Sequence, residues 1–491
     1  MKRMWAAVVA AGLVALSGCS NDGGEPAGTP SPTTTPTLAE PVELDYYATL
    51  TVDDGAGHAL VTDWVEEKLR AIDPAGKELW SIDAYVNDEG GGSVAYSAGD
   101  LVIVNDYSGT VTAYTWEDGE EAWSFDIPGP DDACHEQMAF GSRSTGLGNR
   151  LREDDLLLLE YSGMRMDGDC APTSEAGNAV MFALDPSTGT EAWPSLSIDD
   201  DGRTFGGKLT HLAPDRKSAV MSWKSGEDSM ITRISLDDGR HVTVPITDAR
   251  SIDDTGVDHF DVFPTSDETT LTYLFGAEDP DDPMRQAFSR AAELTLPAGL
   301  KETDSATLAA DSGPNAATME DTTVPMCSTD FTFTPEGRAA CLQLQLFASA
   351  VKYQGSDGSP EGWFADAPEM AFDTVLYSGA PRTVPFDSRG KAAVLAPGPD
   401  GGVIAIDAAT GKTAWNAGDY RSTTPWGGEG VLPDVGLVVL TDNKKTSFYD
   451  SDTGRLVEEH KADQYDELTS GYSTVLVAGE KSTTMWAVVD K

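Results

Sequence analysis

Hydrophobic patterning divides the chain into three regimes. After Lys2 and Arg3, an unbroken apolar run extends from Met4 to Leu16 and ends in the small-residue sequence Leu16, Ser17, Gly18, Cys19. A charged start, an apolar core too short for a permanent span and a small-residue end together predict a secretory signal over residues 1–18. Residues 19–41 then carry Pro26, Pro30, Pro32, Pro36 and Pro41 among Gly, Ser and Thr, with almost nothing that can pack. This stretch predicts a tether, and at the polyproline rise of about 3.1 Å per residue it reaches roughly 70 Å. From Val42 to Lys491 short apolar runs of strand length alternate with turn residues. None of them approaches the roughly 20 consecutive apolar residues of a spanning helix.

Within residues 42–491 a short pattern recurs: a strand-like run ending in a turn with Gly, then Trp four residues after the Gly. The strong copies are AIDPAGKELW (Gly76, Trp80), AYTWEDGEEAW (Gly119, Trp123), ALDPSTGTEAW (Gly189, Trp193) and AIDAATGKTAW (Gly411, Trp415). Copies around Gly239, Gly299 and Gly454 keep the turn and lose the Trp. Such a pattern predicts a β-hairpin in which Asp or Thr caps the turn, Gly takes a positive φ and the indole packs on a neighbouring sheet. Apolar strands precede the hairpins at 100–105, 155–160, 392–396 and 436–440, so each unit has room for four short strands. Successive turn glycines are 43, 70, 50, 60, 112 and 43 residues apart, and the long interval holds either one enlarged unit or two units with one eroded turn. After Gly454 the runs 474–478 and 485–490 predict a last unit lacking its final strand, which the segment 42–47 supplies. The expected architecture is an all-β propeller of eight four-stranded blades, with seven or nine left open, joined between N- and C-terminal strands.

The repeat resembles that of the PQQ-type propellers, the quinoprotein alcohol dehydrogenase-like superfamily, in which A-x-D-x-x-T-G-x-x-x-W is the tryptophan docking motif. The resemblance implies that Trp80, Trp123, Trp193 and Trp415 lock each blade to the next. The sequence around Cys19 resembles the lipobox of bacterial lipoproteins, which implies that Cys19 carries lipid and begins the mature chain. Founding members of the superfamily oxidise alcohols or sugars with PQQ and calcium, and commonly carry adjacent cysteines. This chain has no adjacent cysteines, and the Glu/Asn/Asp calcium ligands have no residue-by-residue counterpart, so no cofactor is expected. A non-enzymatic scaffold is the alternative class, similar in plan to the propeller lipoprotein of the outer-membrane assembly machinery.

Charge and chemistry narrow the classes further. The formal charge of -49, or -51 once Lys2 and Arg3 are removed with the signal, excludes a nucleic-acid partner, whose phosphates need Lys and Arg. The excess acid is spread along the chain and predicts a solvated acidic surface. Besides Cys19 the cysteines are Cys134, Cys170, Cys327 and Cys341, an even number in a disulfide-permissive compartment. Of the three possible pairings, chain order favours Cys134 with Cys170 and Cys327 with Cys341. The six histidines show no zinc spacing, and no nucleophile elbow or Walker loop occurs. Acidic clusters at 199–201, 237–238, 253–254 and 278–282 do not match a calcium loop and predict solvated turns. Trp223, Trp363 and Trp426 stand outside the docking positions and belong either to core or to a ligand-binding face. The expectation is a membrane-anchored, extracytoplasmic propeller that binds a protein partner or small molecule on one face, with a PQQ- and calcium-dependent dehydrogenase or a small-molecule sensor as the alternative.

Overall fold

The computed structural model describes residues 37–83, 93–105, 109–127, 139–144, 149–162, 179–198, 208–212, 217–225, 228–246, 259–264, 270–279, 282–297, 300–308, 318–322, 327–328, 332–333, 339–345, 348–354, 364–367, 384–388, 391–397, 403–407, 413–417, 429–432, 435–441, 445–461, 465–479 and 482–489. Each run of strands turns back antiparallel on itself, mostly through connections of two to six residues, a length that favours hairpins. The described residues form nine such sheets in chain order, from 48–83, 94–126, 139–198, 208–245, 259–322, 332–367, 384–417, 429–461 and 465–489. Within each sheet the main strands follow one another in chain order, which is the plan of a propeller blade, while the two-residue strands Arg150–Leu151 and Thr307–Leu308 add in parallel to the edges of the second and third sheets.

The nine sheets of the described residues compare with eight blades expected from the turn glycines and seven or nine left open. The interval between Gly299 and Gly411 holds the whole sixth sheet, whose outer strands Ala348–Gln354 and Phe364–Ala367 flank the sequence GSDGSPEGW. There Gly358 and Trp363 are five residues apart instead of four, so the shorter spacing passes over it.

The second strand of a sheet is its most enclosed. All of Ala59–Asp63 and all of Leu437–Thr441 are buried, whereas the outermost strand Leu456–Lys461 is mostly exposed. Apolar layers lie between successive sheets: Leu60 and Leu69 against Val102 and Val104, Tyr96 and Ile103 against Leu157 and Phe182, Val403 and Trp415 against Val438 and Tyr449. Covered on both faces, the central strands read as continuous apolar runs and not as alternation.

The two ends of the described chain share the ninth sheet. Val42–Leu44 pairs antiparallel with residues 483–485, and Thr37–Leu38 with Val488 and Val489. The paired strand Val42–Leu44 lies within the segment 42–47 expected to supply it, and Thr37 and Leu38, inside the stretch read as tether, pair as well.

Candidate functional site

The joints between sheets are the best-defined arrangement that the repeat builds. Trp80, Trp123, Trp193 and Trp415 each lie on the turn glycine of the next described copy: Gly119, Gly189, Gly239 and Gly454. A Cβ on Gly119 would stand 2.6 Å from Trp80 Cγ, and one on Gly454 2.7 Å from Trp415 Cγ. Each indole N–H also donates to the carbonyl three residues before that glycine, at Trp116 (3.0 Å), Pro186 (3.1 Å), Leu236 (3.3 Å) and Ser451 (2.8 Å). Each turn glycine has φ between 64° and 72°, a region that costs other residues strain. Two demands thus fix glycine there: the left-handed backbone and the face of the neighbouring indole.

The joint between the ninth and first sheets is built differently. Here no indole meets the turn glycine; Val42 Cγ1 and Leu44 Cδ2 do, and Leu44 joins Ile72, Leu476 and Met485 in a shared core. The first-sheet hairpin is also tighter, with Gly76 N–H donating to Asp73 O where the later turns reach back one residue further. On the inner side Asp53 is 1% exposed and accepts N–H bonds from Tyr472 (3.1 Å), Ser473 (2.7 Å) and Thr474 (2.8 Å). Burial pushes its carboxyl up to about 6 against the pull of those three donors. Thr483 and Thr469 add to the joint, accepting the Ala48 and Leu50 N–H groups at 2.9 and 2.8 Å.

Beside this joint lies an open cleft of about 650 Å³ lined by Tyr46, Tyr47, Asp63, Val65, Arg70 and Glu78, among others. Arg70 fills its charged centre, pairing with Asp63 at 2.9 Å, with Glu66 at 2.7 Å and with Glu78, under the ring of Tyr46 at 5.0 Å. Burial works against the Arg70 charge, but the carboxylates of Glu78 and Asp63 outweigh it and hold the guanidinium above its ordinary value. Burial also raises the Tyr46 phenol to about 12, with Arg70 pulling the other way. These groups satisfy one another as an ion cluster.

The remaining expected positions are distributed as follows. Trp223 is core, 3% exposed, with its N–H on Thr232 Oγ1 at 2.9 Å. Cys19, Cys134, Cys170, Trp363 and Trp426 lie outside the described residues, as do the acidic clusters 199–201 and 253–254. Cys327 pairs in register with Phe288 of the fifth sheet and Cys341 with Lys352 of the sixth, and the strands that carry them, Cys327–Ser328 and Ala339–Gln345, lie close together. Asp238 caps its own turn, accepting the Arg240 N–H at 3.2 Å. Hydrogen bonding to Ser235 and Arg240 holds its carboxyl below the usual range. Among the described residues no three His, Cys, Asp or Glu side chains gather as a metal site, and no helix is long and apolar enough to cross a membrane. Asp53, Arg70 and Tyr46 were not singled out by sequence: Asp53 reads as an ordinary Asp-Asp-Gly turn, and its partners are about 420 residues away.

Residues 65–200 match the family model of the outer membrane protein assembly factor BamB. Residues 65–200 carry PQQ-type propeller repeats. BamB from Moraxella catarrhalis is similar with a TM-score of 0.37 and 11% identity, over 92% of this chain and 99% of that one. Quinohemoprotein alcohol dehydrogenase from Comamonas testosteroni gives 0.39 and 13%, over 92% and 76%. The WD40 domain of SCAP from fission yeast gives 0.40 and 8%, over 93% and 98%. No curated protein sequence matches the chain.

Proposed function

We propose that this chain is a lipid-anchored, extracytoplasmic propeller that acts as a non-catalytic binding or assembly scaffold. The observation that carries the reading is the commitment of all four docking indoles to the joints, each stacked on a glycine and hydrogen-bonded to a carbonyl. The residues that make the repeat recognisable are thus spent on rigidity, and recognition is left to the loops that the rigid sheets display. The match over residues 65–200 supports the same reading, since that family is described as an outer membrane protein assembly factor.

Anchorage rests on the signal, Cys19 and the proline-rich segment that follows it. In this reading the tether enters the fold at Thr37, so the joint between the ninth and first sheets is the part of the propeller nearest the anchor. Crosslinking in cells, followed by identification of what is attached, tests the scaffold. A recurrent protein partner, lost when surface loops are replaced while melting is unchanged, is the expected result. Stoichiometric binding of PQQ with calcium, or dehydrogenase activity on adding them, overturns it.

A further inference from the structure

Residues 300–308 leave the fifth sheet and lie across the outer edges of the fourth and third. Thr303 and His241 exchange backbone hydrogen bonds at 2.9 and 3.0 Å, and Ser197 N–H donates to Ala306 O at 2.9 Å. Thr307–Leu308 then pairs parallel with Ser197 and Ile198. Leu308 is wholly buried in the apolar cluster of Trp193, Trp223 and Leu236, whereas the residues from Lys301 to Thr307 are exposed. The segment is a strap, fixed by a few backbone bonds and one apolar plug over the joint that Trp193 makes.

At its first point of attachment is an anomaly. His241 is 2% exposed and its Nδ1 has no hydrogen-bond partner. It stands opposite Ile234, a member of the Trp193 cluster, in the register of the fourth sheet. Buried polar atoms are nearly always satisfied, and a buried imidazole with an unpaired ring nitrogen is tolerated only while neutral. Burial lowers its pKa, while the Gly239 backbone works the other way. The charged groups on the surrounding elements are Asp237, Asp238 and Arg240 at the turn, Arg233 on the adjacent strand, and Lys301, Glu302 and Asp304 on the strap. Glu302 reaches Arg233 at 3.7 Å, and Asp238 reaches Arg240 at 3.4 Å. Trp193 and Leu196 of the third sheet, which face the same cluster, carry no charge.

We propose that residues 300–308 form a proton-released strap, which protonation of His241 lifts from the outer strand His241–Pro245 of the fourth sheet. An imidazolium must reach water. The strands of the sheet are held within their ladder, so the exposed strap is the cover with least to lose. Below the ordinary histidine pKa of about 6.5 the open form takes up a proton that the closed form resists, and the equilibrium shifts toward release.

Hydrogen exchange of the whole mature chain, corrected for the intrinsic pH dependence of exchange, tests this at about pH 7.5 and about pH 5. In the wild type, protection of amides 303–308 should fall about tenfold or more at the lower pH. In either neutral variant, His241→Gln or His241→Phe, it should hold at both. Glu302→Gln should behave as wild type, which separates His241 from the Glu302–Arg233 pair. Equal protection at both pH values in the wild type overturns the proposal. So do neutral variants that open with acid as the wild type does, or that are already open at the higher pH.

Discussion

At the residue scale, burial and backbone conformation separate side chains that a motif treats as equal. Trp193 and Trp415 are 4% and 7% exposed, whereas Trp80 and Trp123 are only partly buried. Truncation to Ala should therefore cost about 3 to 5 kcal/mol at Trp193 or Trp415, and less at Trp80 or Trp123, measured by denaturant unfolding. The partner glycines offer a sharper test. Gly119→Ala must meet both a positive φ and the Trp80 ring, whereas Gly99, with φ of 58°, has nothing within 4 Å of an added Cβ. Gly99→Ala should cost about 1 kcal/mol of backbone strain, and Gly119→Ala clearly more. Asp53 carries a pH signature. Its folded pKa, about 6, lies above the ordinary carboxyl value of 3.8, so its contribution is fully present below about pH 4 and is lost as pH rises through 6. That amounts to about 3 kcal/mol, read as the difference in stability between wild type and Asp53→Asn from pH 4 to 7. The docking residues were legible because glycine and indole sit four positions apart in one hairpin. Asp53 and His241 were not, because what makes them unusual is burial against segments remote in sequence.

At the element scale, the hairpin is the unit that sequence conveys, and irregular hairpins are where it misleads. A one-residue change in the spacing from Gly358 to Trp363 conceals the sixth sheet. The strap at 300–308 gives no periodic signal, since its few pairs are with the edges of other sheets. The missing last strand was legible for the opposite reason: the sheet at 465–489 falls one strand short, and an unpaired edge has to be covered. The pairing expected of Cys327 and Cys341 belongs to this scale, because the strands that carry them lie on adjacent sheets and against each other. A bond there would staple the fifth sheet to the sixth, in a part of the chain where no docking Trp of the four-residue pattern occurs. We expect peptide mapping without reduction to find these two cysteines joined, and their removal to cost about 3 kcal/mol by the chain-entropy relation. Recovery of both as free thiols from secreted material rejects the pairing.

At the scale of the whole molecule, the fold depends on how its two ends meet. Everywhere the four-residue pattern is strong, an indole bolts one sheet to the next; between the last sheet and the first, two aliphatic side chains of the N-terminal segment take that position. Leu44 is 4% exposed among Ile72, Leu476 and Met485, and Leu38 packs on the cluster of Phe448 and Trp486 between the eighth and ninth sheets. The segment 37–44 therefore touches three sheets while pairing with one strand, Thr483–Val489. This separates two deletions that look alike in sequence. Removing residues 20–36 takes away proline-rich chain with almost nothing apolar, and should leave the melting temperature unchanged while shortening the reach from the membrane. Removing 20–44 strips Leu38, Val42 and Leu44 and bares the edge of the last strand. One buried leucine alone is worth about 2 to 5 kcal/mol, and an exposed edge invites association between copies. The longer deletion should melt well below wild type and form soluble oligomers, seen by calorimetry and light scattering. With Cys19 retained, both proteins should still fractionate with membranes, whereas Cys19→Ser in the full chain should not. If the two deletions melt alike, the N-terminal segment is not a structural part of the propeller, and the meeting of the ends must rest on the bonds of Asp53, Thr469 and Thr483 and the apolar core of Ile72, Leu476 and Met485.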